Sequence, residues 1–161
     1  MGLFSRKKHN DVKEIFKSPA IGKIIKLDNV NDEVFSKKMM GDGFAVIPKE
    51  NSVYAPLSGE ITVCFPTKHA YGIKTPSGIE VLLHLGINTV ELNGEGFNSL
   101  VKQGDKVKQG DKICEMEISK LEEKGYDTTI MVILTSGEEV ALLKENEDIN
   151  FGEEGIIELQ K

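Results

Sequence analysis

Residues 65–86 decide the fold of this chain, and they read FPTKHAYGIKTPSGIEVLLHLG. Two apolar runs rich in aromatic and β-branched residues flank a Thr-Pro-Ser-Gly segment, which is typical of a β-hairpin. If that segment forms the loop, Lys74 pairs with Ile79 and His69 lies opposite His84. Opposed residues share a sheet face, with Cβ atoms roughly 4.5–5.5 Å apart, so two imidazoles are predicted side by side. The same register assigns further side chains to that face, namely Tyr71, Ile73, Glu80 and Leu82.

On both sides of the hairpin, the sequence pattern is that of an all-β protein. Short runs of Val, Ile, Phe and Thr alternate with turn signals made of Gly, Pro, Asn and Asp. This spacing predicts an antiparallel β-sandwich or barrel with a few short helical turns. Strands are predicted near residues 21–27, 44–47, 61–65, 79–85, 130–134 and 155–159. Helical turns are predicted at residues 31–38, 97–101 and 119–124.

The chain also repeats itself, which favours an internally duplicated β-fold. The pattern P-x-x-G-[KE]-I occurs at residues 19–24 and again at residues 56–61. A Gly-acid-Gly-Phe segment occurs at residues 41–44 and again at residues 94–97. A tandem hexapeptide, KQGDKV followed by KQGDKI, fills residues 102–113.

The composition describes one globular domain and excludes several classes of function. The chain has 161 residues, 39% of them hydrophobic, and a formal net charge of −6. This acidic balance argues against nucleic-acid binding, which needs a basic face for the phosphates. No apolar run reaches the roughly 20 residues that a membrane helix requires, and no signal peptide is visible. We expect a flexible basic tail over residues 1–14 and a cytoplasmic domain over residues 15–161, with Cys64 and Cys114 as buried free thiols.

Two adjacent imidazoles support two kinds of chemistry. A neutral histidine, with a reference pKa of about 6.5, offers an unprotonated nitrogen that can attack a phosphoryl group. The second imidazole can stabilise charge on the transferring group, and Thr67 is placed to hydrogen-bond His69 and orient it. The pair His69 and His84 could instead bind zinc, either adventitiously or as a regulatory ion. His9 lies in the tail and is assigned no role.

Three stretches resemble the glucose-type enzyme IIA family of the bacterial phosphoenolpyruvate-dependent sugar phosphotransferase system. They are KMMGDGFA at residues 38–45, FPTKHA at residues 65–70 and LHLGINTVELNGEGF at residues 83–97. The resemblance covers essentially residues 15–161 and implies an antiparallel β-sandwich with a duplicated hybrid motif. Asn88 stands where the family often has an acidic residue, so the surface around the site is expected to be less acidic here.

The resemblance also implies what each site residue does. His84, in the H-x-G-x-x-T-V stretch, would accept a phosphoryl group on Nε2 from the phosphocarrier protein HPr and pass it to a IIB domain of a sugar permease. His69 would stabilise the transferring group, and Thr67 matches the threonine that is linked to that histidine. A docking rim of exposed apolar side chains would comprise Phe35, Met40, Phe65 and Leu82. The family implies a monomer that needs no cofactor and reaches the membrane through its permease, and it leaves the sugar open.

Other functions fit these residues less well. A zinc peptidase of a related duplicated β-fold needs a third protein ligand, and no Asp follows His69 at the required spacing. A lipoyl or biotinyl carrier needs a Lys beside Met at a hairpin tip, whereas Met116 is flanked by two glutamates. The alternative left open is a regulatory binding protein whose partner choice is switched by phosphorylation of His84, which adds about two negative charges.

Overall fold

The computed structural model describes residues 14–160, so the predicted basic tail over residues 1–14 lies outside the described residues except for Glu14. Two short α-helices, α1 (Glu33–Ser36) and α2 (Ile118–Glu123), and 3-10 turns at Leu27–Asn29 and Thr89–Leu92 interrupt an otherwise β chain. The strands of the described part are β1 (Gly22–Lys26), β2 (Gly43–Pro48), β3 (Ser52–Tyr54), β4 (Gly59–Cys64), β5 (Ala70–Lys74), β6 (Glu80–Leu85), β7 (Phe97–Ser99), β8 (Lys106–Val107), β9 (Lys112–Met116), β10 (Ile130–Leu134), β11 (Glu139–Leu142), β12 (Asp148–Ile149) and β13 (Ile157–Gln160).

The strands form antiparallel sheets, which confirms the predicted fold class. The largest sheet has eight strands in the order β12-β1-β2-β10-β6-β5-β4-β8. A three-stranded sheet, β3-β9-β7, and a two-stranded sheet, β11-β13, complete the sandwich. The hairpin of β5 and β6 therefore lies inside the large sheet, with β4 on one side and β10 on the other. Because β6 is paired on both sides, the sheet face to which each of its side chains points is fixed.

The large sheet carries apolar side chains on both faces. Along β10, Ile130, Val132 and Leu134 enter the main core, while Met131 and Ile133 enter a second cluster. Because successive strand residues point to opposite faces, this explains why every residue of β10 is buried. The second cluster consists of Ile25, Leu27, Val30, Phe35, Ala45, Ile87, Met131 and Ile133, with Leu82 packed against it. Segment 27–35 covers this face, which is the face that carries the site.

The tandem hexapeptide folds as two copies of the same turn. The carboxylate of Asp105 accepts a hydrogen bond from the backbone N–H of Lys102 (3.0 Å), and Asp111 accepts one from Lys108 (2.8 Å). The glycine before each aspartate has a positive φ, of 96° and 92°, which favours glycine at these two positions. The sequence repeat is therefore also a structural repeat.

Two local expectations are wrong. Residues 97–101 were predicted as a helical turn, but Phe97–Ser99 forms strand β7 and pairs with β9. Three strand residues are too few to show the alternation that distinguishes a strand from a turn.

Both cysteines are free thiols as expected, but only Cys114 is buried. Cys64 lies at the end of β4 and is half-buried.

Within residues 14–160, no helix has the length and apolar character needed to cross a lipid bilayer.

Candidate functional site

The hairpin that carries the two histidines has a different register from the predicted one. Lys74 pairs with Glu80, and His84 pairs with Ala70 rather than with His69. The cause is the turn, in which the backbone N–H of Thr75 bonds the carbonyl of Ile79 (2.9 Å) and the Thr75 hydroxyl accepts from the N–H of Ile79 (3.1 Å). Ile79 therefore belongs to the loop, and every pairing shifts by one residue.

The two imidazoles nevertheless lie side by side, as expected. Their ring centroids are 5.0 Å apart and the ring planes cross at 80°. His69 precedes β5, so the alternation of that strand does not set its direction. Its carbonyl accepts a hydrogen bond from the N–H of Leu85 (2.7 Å), which holds this end of the hairpin against β6. The predicted face was wrong for Tyr71 and Ile73, which point into the main core.

A backbone carbonyl sets the protonation pattern of His84. Its Nδ1 lies 2.8 Å from the carbonyl oxygen of Gly86, which can only accept. Nδ1 must therefore carry the proton, and in the neutral ring Nε2 holds a free lone pair. The side chain is half-buried, so solvent and a partner can reach part of the imidazole. The geometry leaves Nε2 as the ring nitrogen that is not engaged by the Gly86 carbonyl.

The second histidine is more deeply enclosed. His69 is buried, and its Nδ1 lies 2.7 Å from the hydroxyl oxygen of Thr67, as the sequence predicted. The ring of Phe65 meets it edge-on, with centroids 5.4 Å apart. When the Thr67 hydroxyl donates to Nδ1, the proton of neutral His69 is on Nε2, where it can be donated to an oxygen of a bound group.

The surroundings of both imidazoles favour the neutral ring by lowering its pKa. Burial, followed by the nearby His84, lowers the pKa of His69 from 6.5 to about 4. Burial also lowers the pKa of His84, against the Gly86 carbonyl and the Asp32 carboxylate, which favour the protonated ring. Nucleophilic attack by an imidazole nitrogen requires that the attacking ring be neutral.

The lowered pKa of His69 predicts a pH-dependent stability. Between pH 6.5 and about 4 the unfolded chain binds a proton at His69 that the folded chain does not. The stability that the folded chain gains from keeping His69 neutral is therefore complete above pH 6.5, and it is lost as the pH falls towards 4. We expect urea unfolding at pH 7 and pH 4.5 to show a larger loss for the wild type than for His69→Gln, by on the order of 1–2 kcal/mol. Equal losses in the two proteins would contradict this assignment.

The predicted docking rim is only partly an exposed surface. The expectation is wrong for Phe35, which is 7% exposed, belongs to the second cluster, and lies with its ring centroid 4.9 Å from that of His84. Leu82 is half-buried and packs against the same cluster. Met40 and Phe65 are exposed, at 45% and 39%. Phe35 was misjudged because residues 31–38 contain few apolar residues, and segment 27–35 covers a second apolar face that sequence reasoning did not foresee.

Sequence reasoning also missed two groups that act on His84. The Gly86 carbonyl is a backbone atom, so no side chain in the sequence reveals it. Asp32 could have been recognised as a helix N-cap, since an acidic residue before a short helical segment is a common start signal.

The described residues supply an incomplete metal site. His69 and His84 could provide two nitrogen ligands, whereas a structural zinc ion takes four. No group of three or more His, Cys, Asp or Glu side chains within residues 14–160 is arranged to hold a metal ion. A zinc ion on this pair would need ligands from water or from another protein.

Comparison with known proteins places this chain in a family. Residues 14–140 match the model of the phosphoenolpyruvate-dependent sugar phosphotransferase system, EIIA 1 family. The chain belongs to this EIIA family. EIIA proteins are phosphoryl carriers of the phosphotransferase system, so the chain is a phosphotransferase component for sugar transport.

Individual EIIA relatives agree with this assignment. The PTS system glucose-specific EIIA component of Halalkalibacterium halodurans is 44% identical over 131 residues, covering 81% of this chain and 76% of the relative. The protein of the same name from Mycoplasma capricolum is 47% identical over 119 residues, covering 74% and 77%. The solved structure of glucose permease IIA from Mycoplasma capricolum superposes with a TM-score of 0.77 at 40% identity, covering 92% of this chain and 94% of that one.

Proposed function

We propose that His84 accepts a phosphoryl group from phospho-HPr and passes it to a IIB domain, which phosphorylates a sugar entering through its permease. The observation that carries the proposal is the hydrogen bond from Nδ1 of His84 to the Gly86 carbonyl, which leaves Nε2 free beside a second imidazole. The names of the two relatives favour glucose as the sugar. The carrier works as a monomer in the cytoplasm, at the inner side of the permease.

The transfer is an in-line exchange between two imidazole nitrogens. The lone pair on Nε2 of His84 forms a bond to phosphorus, while the phosphorus–nitrogen bond of the donor phosphohistidine breaks. The electron pair of that bond returns to the donor ring. During this exchange, Nε2–H of His69 donates to a phosphoryl oxygen and stabilises its charge. Thr67 keeps His69 in the orientation that this donation requires.

Reconstitution tests the proposal directly. The chain is incubated with phosphoenolpyruvate, enzyme I and HPr, and is then analysed by intact mass spectrometry and phosphorus NMR. We expect one acid-labile phosphoryl group, on Nε2 of His84. Omission of HPr controls for direct labelling by enzyme I. No adduct, or an adduct on another residue, would overturn the proposal.

No metal cofactor takes part in the proposed transfer. The protein supplies both the nucleophile and the charge-stabilising group as side chains, and the histidine pair supplies half of a zinc ligand set. The same reconstitution in the presence of a chelator, with magnesium restored for enzyme I, is expected to give the same yield. A loss of labelling that zinc restores would reverse this conclusion.

The exposed aromatic ring beside His69 is proposed to contact HPr. Phe65 is 39% exposed, so Phe65→Asp costs little folding free energy, yet it places a charge where the partner must exclude water. We expect the transfer rate at low HPr concentration to fall roughly tenfold. The control is Phe151→Asp, because Phe151 is 56% exposed and packs at a tilt against Tyr54 instead of a histidine. Equal effects from the two substitutions would remove Phe65 from the docking surface.

Phosphorylation is also proposed to switch regulatory partners. His84 is half-buried among apolar neighbours, and a phosphoryl group adds about two negative charges to that surface. A partner that buries Phe65 and Met40 would bind the unphosphorylated protein and be released by the phosphorylated one. Binding assays that compare the two forms, with phosphorylation by the reconstituted system, test this switch.

A further inference from the structure

We propose that Asp32 and Phe35 are positioning residues, which hold the imidazole of His84 so that Nε2 faces the incoming phosphoryl group. The inference rests on the proposed role of His84 as acceptor and adds to it the part of the fold that orients the ring. It assigns to helix α1 a role in orienting His84, whereas the expected docking rim gave Phe35 only a role in binding HPr.

Asp32 holds helix α1 in place. Its Oδ1 accepts hydrogen bonds from the N–H groups of Val34 (2.9 Å) and Phe35 (3.4 Å), and so caps the helix. The helix has four residues, Glu33–Ser36. So short a helix has little stability of its own, and a lost N-cap typically costs about 1 kcal/mol. The position of Phe35 therefore depends on the cap.

Phe35 connects this helix to the nucleophile. Its ring is 7% exposed and belongs to the second cluster, so it is held from behind by core side chains. In front, it lies 4.9 Å from the ring of His84, with the planes at 54°. His69 lies 5.0 Å from His84, also in ring contact. The imidazole thus has an aromatic neighbour in addition to His69 and to its hydrogen bond to Gly86.

These contacts together restrict rotation of the His84 ring. The hydrogen bond from Nδ1 selects one tautomer only while it is made, and by itself it would let the ring rock about its bond to the backbone and break that hydrogen bond. The packed ring of Phe35 limits that rocking. Transfer between two nitrogens requires near-linear geometry, and a misplacement of about 1 Å can cost about 100-fold in rate. The Asp32 carboxylate is also close enough to favour protonation of His84, which supports its placement beside the site.

Three substitutions separate positioning from docking and from charge. Phe35→Leu keeps apolar volume but removes the flat ring, and Asp32→Ala removes the cap. We expect both to slow phosphoryl acceptance at saturating HPr by about 10- to 100-fold. Asp32→Asn removes the charge but retains a capping oxygen, so its loss is expected to be smaller than that of Asp32→Ala.

Nitrogen-15 NMR of the imidazole gives a readout that does not use HPr. The wild-type ring is expected to show one tautomer, with the proton on Nδ1, whereas Phe35→Leu and Asp32→Ala show a mixture. Val30→Ala is the control, because Val30 belongs to the same cluster and its loss lowers stability without removing the ring beside His84. It is expected to keep a single tautomer.

The outcomes are distinct. Wild-type rates at saturating HPr together with a single tautomer in Phe35→Leu and Asp32→Ala would overturn the inference. A change confined to the HPr concentration needed for half-maximal rate would also overturn it, since it would assign both residues to docking. If the wild type takes no phosphoryl group from HPr, the proposed function fails, and the tautomer measurement still decides whether these residues position His84.

Discussion

His84→Gln is expected to accept no measurable phosphoryl group from phospho-HPr, a loss of at least about 1000-fold. Glutamine is uncharged and of similar length, so it fits this half-buried position, although its amide reaches the position of Nε2 and leaves the Gly86 carbonyl without the Nδ1 donor. What it lacks is the nucleophilic lone pair at the position of Nε2. The measurement is single-turnover transfer from labelled phospho-HPr, followed by intact mass spectrometry.

The matched control for this substitution is His9→Gln. His9 lies in the N-terminal tail and was assigned no role from the sequence. It is expected to label like the wild type. Label appearing on His69 in the His84→Gln protein would reverse the two roles, because it would make the more deeply buried histidine the acceptor.

His69→Gln is expected to have the second largest effect, and a different one. The nucleophile remains, so the protein still accepts a phosphoryl group from HPr. Delivery to the IIB domain is expected to slow by about 100-fold, because charge stabilisation in the transferring group is weakened. Separate single-turnover measurements of acceptance and delivery give the comparison.

Thr67→Ala provides the graded companion to this variant. It leaves the His69 ring in place and removes the hydroxyl that lies 2.7 Å from its Nδ1. We expect a defect in delivery that is in the same direction as that of His69→Gln but smaller. A Thr67→Ala protein with a larger defect than His69→Gln would show that the hydroxyl acts on the phosphoryl group itself.

Much of the fold could be predicted because its signals are local. Short β-branched runs between turn residues placed β1, β2, β4, β6, β10 and β13, and the hexapeptide repeat of residues 102–113 predicted a structural repeat. The register of the β5–β6 hairpin could not be predicted in this way. It depends on whether Ile79 belongs to the loop or to the strand, and that depends on a hydrogen bond that the Thr75 hydroxyl accepts from the backbone N–H of Ile79.

The sequence predicted the histidines and the threonine of the candidate site, but it did not predict the groups that pack against them or hydrogen-bond to them. His69, His84 and Thr67 are side chains with recognisable chemistry, and the structure brings them together. The burial of Phe35 depends on segment 27–35 folding over the outer face of the large sheet, which is a tertiary contact without a local pattern. The Gly86 carbonyl belongs to the backbone, and every residue carries such a group.

The tip of the β5–β6 hairpin has a practical use for protein engineering. The turn at residues 75–78 lies at the opposite end of β5 from His69, a distance of roughly 17 Å along five strand residues. A Cβ at Gly78 would meet no heavy atom within 4 Å beyond its chain neighbours, but the φ of 98° favours glycine, so an addition is better placed beside Gly78 than in its place. His69 is also held to β6 by the N–H of Leu85 at the far end of the hairpin, so an addition that keeps the hydrogen bonds between Thr75 and Ile79 leaves its placement unchanged. A fluorophore attachment site or a short peptide tag inserted there would report on transfer partners in living cells without disturbing the histidines.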